Sequence, residues 1–227
     1  MTFTVHGWGA GLLQADLIEE FLVHYFALSA HAYTRGSWIA PESTVVDRNQ
    51  SSVSFCTPAT LTAPILLKWL LVWEHPVSHT LWLGKAIPRV WLSEGETVAV
   101  TGAGTAHGKV SIAYTSQIES HNSVAVNISV EEPSACWGKC EPPPGGLALR
   151  LRTPGKRTIT KVLVGGEEWT ALNASSETVI FAAAALKMVL QVLLPACPLL
   201  PMPGVGHVPV FPVLRKMTCS ILPATFC

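Results

Sequence analysis

Charge is what this sequence has least of. Asp, Glu, Lys and Arg make up only 13% of its 227 residues, against 49% apolar residues, and fifteen bases cancel fifteen acids. A chain without net charge sets up no long-range field for nucleic acid or an anionic membrane surface, so no nucleic-acid partner is expected. It is also too apolar to remain disordered, and it can fill a sizeable core in one large domain or two small ones. Acidic residues are absent beyond Glu177, where Pro, Leu and Ala dominate. A basic leader followed by a cleavable apolar stretch is missing from the N-terminus, so no signal peptide is expected in this chain.

The six cysteines (56, 136, 140, 197, 219 and 227) show no spaced framework. Cys136-Trp-Gly-Lys-Cys140 could chelate zinc only with two further ligands, and no spaced Cys or His pair supplies them. No metal is expected; a local disulfide or two free thiols is the alternative, and the redox compartment stays open. Asparagine is scarce as well, yet three of the four begin N-x-S sequons: Asn49-Gln-Ser, Asn127-Ile-Ser and Asn173-Ala-Ser. These fit secretion through a glycosylating route.

The pattern that is present changes along the chain. From Gln14 to Ala32, Leu17, Phe21, Tyr25 and Leu28 recur at helical spacing, and Ile18, Leu22 and Phe26 widen the stripe. Asp16 with Glu19 three residues on reads as a capping-box start. So wide an apolar girth needs more than one packing neighbour, and the first fifty residues offer too few. Chain upstream is therefore expected. HAYTRGSWIAPEST reads as a loop, broken by Gly36 and Pro41. A second helix is predicted from Thr57, with Pro58 at its first position and Pro64 kinking or restarting it. Leu66, Trp69, Leu70 and Trp73 form its apolar face, and with Trp82 and Trp91 the tryptophans read as core.

After Pro76 the period becomes two. TLWLGKA, ETVAVTG, GKVSIAYTSQI, SVAVNISV, LALRLRT, TITKVLV and ETVIF alternate between Gly, Pro, Asn and Ser breaks, which predicts an antiparallel sandwich of short strands. Gly165-Gly166 signals a hairpin and EPPPGG a stiff surface connection. VIFAAAALKMVLQVLLP (179–195) is about long enough to test as a membrane span, which needs roughly 20 apolar residues. But it carries Lys187, and a central lysine costs about 2.5–3.5 kcal/mol on insertion scales. A final strand at 178–182 followed by a poorly specified tail, or a reading-frame artefact, is expected instead.

VAVTGAGTAHGKVSIAY mimics a dinucleotide fingerprint. That fingerprint needs a helix to begin at its glycines, because the pyrophosphate sits on the helix N-terminus. Here Val110, Ile112 and Tyr114 alternate with Ser111, Ala113 and Thr115, a strand period. No Tyr has a Lys four residues later either. No cofactor is expected.

Chemistry concentrates in the first loop, where Tyr33, Arg35, Trp38 and Glu42 surround a Gly-Ser turn. Aromatic faces bind the C–H surfaces of sugars, and charged groups bond their hydroxyls, so Tyr33, Arg35 and Trp38 are candidate carbohydrate-binding residues. Glu42 is the candidate catalytic acid or base; glycoside hydrolysis needs two carboxylates flanking the bond. Asp47 is the nearest second one. The structural alternative is that Arg35 and Glu42 pair and that Trp38 closes a helix end.

YTRGSWIAPE, CTPATLTAPILLKWLLVWE and LWLGKAIPRVWLSEGETVAV together resemble the C-terminal part of six-hairpin glycosidases, over about residues 20–183. The resemblance implies an (α/α)6 toroid followed by a β-sandwich, hence an α+β fold: residues 1–76 the last toroid helices, 77–183 the sandwich, 184–227 a hydrophobic acid-free tail. A toroid needs about a dozen helices and this chain supplies two or three. The implied protein is then a fragment of a glycoside-hydrolase-like, carbohydrate-active protein, its N-terminal part missing and its cleft mostly absent. The alternative is a non-catalytic carbohydrate-binding or structural sandwich module.

Overall fold

The computed structural model describes residues 5–34, 36–43, 55–131, 141–182 and 187–195. Three helices come first among them, α1 (Val5–Gln14), α2 (Ile18–His31) and α3 (Thr57–Leu71). Strands follow: β1 (Val72–Glu74), β2 (Leu81–Leu83), β3 (Thr97–Thr105), β4 (Gly108–Gln117), β5 (Ser123–Glu131), β6 (Leu147–Arg150), β7 (Lys161–Val164), β8 (Glu167–Glu168), β9 (Leu172–Asn173), β10 (Thr178–Phe181) and β11 (Lys187–Leu193). The fold class is α+β, with two sheets rich in antiparallel pairs. Its compact units are discontinuous in sequence. One takes Met1–Pro88, Glu141–Arg152 and Ser176–Ala184; the other takes Arg89–Cys140, Thr153–Ser175 and Ala185–Cys227.

In the first unit, α1 and α2 form a helical hairpin and α3 leads directly into β1. The predicted single helix over 14–32 is broken at Asp16, whose φ is +59°, and the preceding ten residues form α1. The expected capping box does not form: Leu17 is the N-cap of α2 and offers no side-chain bond. Asp16 and Glu19 bond to Arg150 and Arg152 instead, and a charge-assisted bond outcompetes a single backbone N–H. Helix α3 begins at Thr57 as expected, with Cys56 as its N-cap residue and Pro58 in its first turn, and it continues through Pro64. Four strands stand in the order β1-β2-β6-β10. Trp73 faces Trp82 across an antiparallel pair, and Ala148 faces Ile180 across another. The β2–β6 pair is parallel, which departs from the all-antiparallel expectation. The reason is the excursion of more than sixty residues between them, long enough for a crossover, which a hairpin would not permit. Leu13, Phe21, Leu66, Leu70, Leu81, Leu83, Leu149, Val179 and Phe181 are buried in this unit.

In the second unit, six strands run in the order β3-β4-β5-β11-β7-β8. Alternation sets the faces: Val110, Ile112, Tyr114 and Ser116 of β4 are buried and lie opposite Val130, Ile128, Val126 and Val124 of β5. β3 joins with a bulge, one extra residue between Val100 and Ala103. Gly165 and Gly166 both have positive φ, which a two-residue hairpin turn from β7 to β8 requires. A strand, not a helix, leaves Gly108; Thr105 Oγ1 and the His107 N–H close the tight β3–β4 turn. The glycines therefore shape a hairpin.

The largest difference from the sequence reading lies in the tail. Residues 187–193 are strand β11, paired on one side with β5 and on the other with β7. The sandwich was expected to end at residue 183. Its sequence KMVLQVL is apolar at five of seven positions, so its period of two is faint; Gln191 is exposed and Val192 buried. Among the described residues, no helix is long and apolar enough to cross a membrane. Residues 196–227 lie outside the described residues.

Candidate functional site

The loop between α2 and α3 was the predicted site, and its anchoring is set by Pro64. Proline has no N–H to offer the carbonyl of Thr60, and its ring crowds that turn. Tyr33 enters the gap. Its hydroxyl accepts from the Ala63 N–H at 2.8 Å and lies 2.7 Å from the Ala59 carbonyl and 3.1 Å from that of Thr60. A side chain thus completes the helix ladder where the backbone cannot. Burial raises the pKa of this phenol, the bond from Ala63 opposing it, so the hydroxyl stays protonated and can donate. Ala32, Ala40, Ala59 and Ala63 pack around Tyr33.

Beyond Tyr33 the loop folds back on itself. The Thr34 N–H donates to Ile39 O, the Trp38 N–H donates to Thr34 O, and the Ala40 N–H donates to Thr60 Oγ1. Trp38 sits at φ +55° and is 48% exposed, its ring 5.8 Å from that of Tyr33 and tilted by 52°. Glu42 is half-buried on the same loop. Tyr33, Trp38 and Glu42 are therefore carried by one short segment, with Tyr33 engaged by α3 and Trp38 about half exposed. Arg35 and Asp47 lie outside the described residues, as do Asn49, Cys136 and Cys140. Among the described residues, no group of three or more His, Cys, Asp or Glu could hold a metal ion.

A second polar cluster was not anticipated. Lys85, with only 3% of its side chain exposed, lies 3.8 Å from the centre of the Trp82 ring and 2.9 Å from Asp16. Arg150 makes a two-pronged pair with Asp16 at 2.7 and 3.0 Å and also faces Trp82. Beside it, Arg152 bonds to Glu19 and donates to Ile87 O. Cations desolvated against an indole face gain about 2 kcal/mol. Burial lowers the Lys85 pKa, and the bond and charge of Asp16 recover part of that shift. Burial would raise Asp16, but Arg150 and Lys85 outweigh it and hold the carboxylate below its usual value. Both partners being lowered is consistent with their exposure: Asp16 keeps half its surface in water and Lys85 almost none. The sequence signal was LALRLRT, where Arg150 and Arg152 take the alternate positions that a half-exposed strand turns to water, yet both are buried. With every cation satisfied, this cluster is a fastening of the α1–α2 turn to β6.

A Ser–His–carboxylate grouping occurs in the second unit, with the wrong order for a nucleophile. Ser120 stands in the middle, bonded to Glu94 at 2.6 Å and contacting His121 Nδ1 at 2.9 Å. Glu94 also accepts the N–H groups of Glu119 and Ser120. The Ser120 hydroxyl and these amides hold its pKa down, which makes it a poor base. The grouping caps a turn.

No family model matches the sequence, and no curated protein matches it. Among solved structures the chain is similar to a GH127 β-L-arabinofuranosidase from Geobacillus stearothermophilus T6. The identity is 17%, over 63% of this chain and 19% of that one, with a TM-score of 0.32. It is also similar to a protein described as a glycoside hydrolase, at 11% identity over 80% of this chain and 29% of that one, with a TM-score of 0.35. The chain spans less than a third of the length of either.

Proposed function

We propose that this chain is the C-terminal part of a glycoside-hydrolase-like, carbohydrate-active protein, not catalytic by itself. Its helices would close an α/α toroid, and its sheets would form the sandwich that follows. The observation that carries this reading is the outer face of α2. Ile18, Phe21 and Leu22 are buried on one side of the helix, yet Val23 is 70% exposed and Phe26 40% exposed, with Ala27 and Ala30 exposed as well. Positions 23, 26, 27 and 30 follow the i, i+3, i+4, i+7 rule and make a second apolar stripe. A helix in a closed ring has a neighbour on each flank, and a second stripe is what the missing neighbour would cover. Tyr33, Arg35, Trp38 and Glu42 would then form one wall of a cleft completed by preceding chain.

The chain alone should bind a hydrophobic fluorescent dye and self-associate. Replacing Val23 and Phe26 together by serine should abolish the dye signal and leave the urea midpoint nearly unchanged. A monomer with no dye binding, or turnover of an aryl glycoside that disappears in Glu42→Gln, would overturn the reading.

The exposed Trp38 favours a second reading, a non-catalytic carbohydrate-binding module. Affinity electrophoresis through polysaccharide gels tests it. Retardation lost in Trp38→Ala supports binding at this loop; equal migration with and without polysaccharide counts against it.

A further inference from the structure

Two of the three N-x-S sequons lie among the described residues, and their surroundings in the folded chain differ. Asn49 lies outside the described residues. Asn127 occupies the middle of β5, opposite Ala113 of β4 on one edge and Val189 of β11 on the other. Its backbone is locked into ladders on both sides, so a transferase could wrap this sequon only by tearing open the centre of the six-stranded sheet. Such central strands open at close to the full free energy of unfolding. Asn173 has the opposite surroundings. It ends the two-residue strand β9 and is followed directly by a turn, Ala174–Glu177. Asn173 and Ser175 are exposed, while Ala174 and Ser176 are half-exposed. The Ser175 hydroxyl donates to Asn173 Oδ1 at 2.8 Å. That bond fixes the side-chain amide by its oxygen, so the two sequon side chains already stand together on the surface.

We propose that Asn173 is an acceptor for N-linked glycan, and that Asn127 is not one in the folded chain. The donor is an oligosaccharide carried on a lipid diphosphate. In the transfer, Asn173 Nδ2 bonds to the anomeric carbon of the first sugar, and that carbon's bond to the diphosphate oxygen breaks. The lipid diphosphate leaves with the bonding pair, and one amide proton passes to a base of the transferase. Nothing is oxidised or reduced. Ser175 acts as a positioning residue through its bond to the amide oxygen.

The test presents the purified, folded full chain to an oligosaccharide transferase together with lipid-linked oligosaccharide. Modified sites are then mapped by enzymatic deglycosylation in heavy-oxygen water, which leaves a labelled aspartate at each occupied asparagine. A glycan at Asn173 and none at Asn127 is expected. Asn173→Gln and Ser175→Ala should each abolish the mass shift at 173, Ser175→Thr should retain it, and Asn127→Gln should leave it unchanged. An unlabelled Asn173, or label at Asn127 in a chain that circular dichroism shows to be folded, would overturn the proposal. If every asparagine is modified only after the chain is unfolded in urea, the sheet protects no better than the turn, and the proposal also fails.

Discussion

In the second unit, the six-stranded sheet buries valine, isoleucine and tyrosine on one face and leaves its charged pairs outside, as with Lys161 and Glu168 at 2.9 Å. In the first unit, Lys85, Arg150 and Arg152 are themselves buried, and so is Glu177; among the described residues, every buried charged side chain belongs to this unit. Apolar alternation needs only correct period and register to close a sheet, and it tolerates any neighbour of the right size. Buried ion pairs are demanding, because each charge is costly to desolvate and must find its partner. The first unit thus depends on specific residues far apart in sequence, Asp16 with Arg150 and Glu19 with Arg152, whereas the second depends on pattern.

The largest expected effect follows from breaking that dependence. Asp16→Asn leaves Lys85 and Arg150 buried together without their shared anion. Breaking a buried pair costs about 3–5 kcal/mol, and the half-exposed carboxylate places this case near about 3 kcal/mol. Urea unfolding should show it, whereas Glu168→Gln on the exposed pair of the second unit should move stability by less than about 0.5 kcal/mol. Acid should reproduce the substitution. Arg150 and Lys85 hold the Asp16 pKa in the folded state below its unfolded value, despite burial. Its contribution is therefore present above the unfolded value, about 3.9, and is lost as pH falls through the folded one. In Asp16→Asn that part of the acid limb should be flat. Equal acid sensitivity in the two proteins would mean the pair contributes nothing.

Tyr33→Phe is the next in size. The change keeps the ring and removes the hydroxyl that bridges Ala63 N–H to Ala59 O, leaving buried backbone groups short of a partner. The expected loss is about 1–2 kcal/mol. A sugar-binding role for Tyr33 would appear instead as weaker polysaccharide retardation at unchanged stability, so the two measurements separate the anchoring role from the ligand role.

Much of this architecture could be read in advance, and the failures have physical causes. All seven predicted strands exist, because alternation with Gly and Pro breaks is a local property that each segment carries by itself. Helix α1 was missed because Gly7, Gly9 and Gly11 weaken a helical pattern, and the packing that overrides propensity is tertiary. A Cβ on Gly9 would stand 2.6 Å from Leu66 Cδ2, so the glycine is where α1 approaches α3 closely. β11 was missed because Val189 and Leu193 fall in the same alternate set as Lys187 and Gln191, which blurs the period of two. The fastening of Asp16 to Arg150 spans 134 positions, and nothing local announces it. In the loop, the sequence named Tyr33, Arg35, Trp38 and Glu42 as candidates; that Ala59, Thr60 and Ala63 of α3 engage the Tyr33 hydroxyl beside Pro64 required coordinates.

The smallest effect sharpens the comparison from the other side, by finding a polar flaw in the apolar unit. Tyr114 is fully buried on β4, between Val98 of β3 and Val126 of β5, and its hydroxyl has no hydrogen-bond partner among the described residues. An unsatisfied buried hydroxyl costs about 1–3 kcal/mol, so Tyr114→Phe should raise stability by about 1 kcal/mol, offset in part by the small void it leaves. The urea midpoint should rise with an unchanged slope. Burial also drives the Tyr114 pKa well above that of a free phenol. The folded state then keeps its proton where the unfolded chain releases it. The stability linked to this proton is intact below the unfolded value, about 10, and falls as pH rises past it. Tyr114→Phe should remove that alkaline loss while leaving the acid limb, which Asp16 governs, untouched. A destabilised Phe variant would show that the hydroxyl has a partner, and that the second unit, like the first, contains a polar contact its sequence pattern does not reveal.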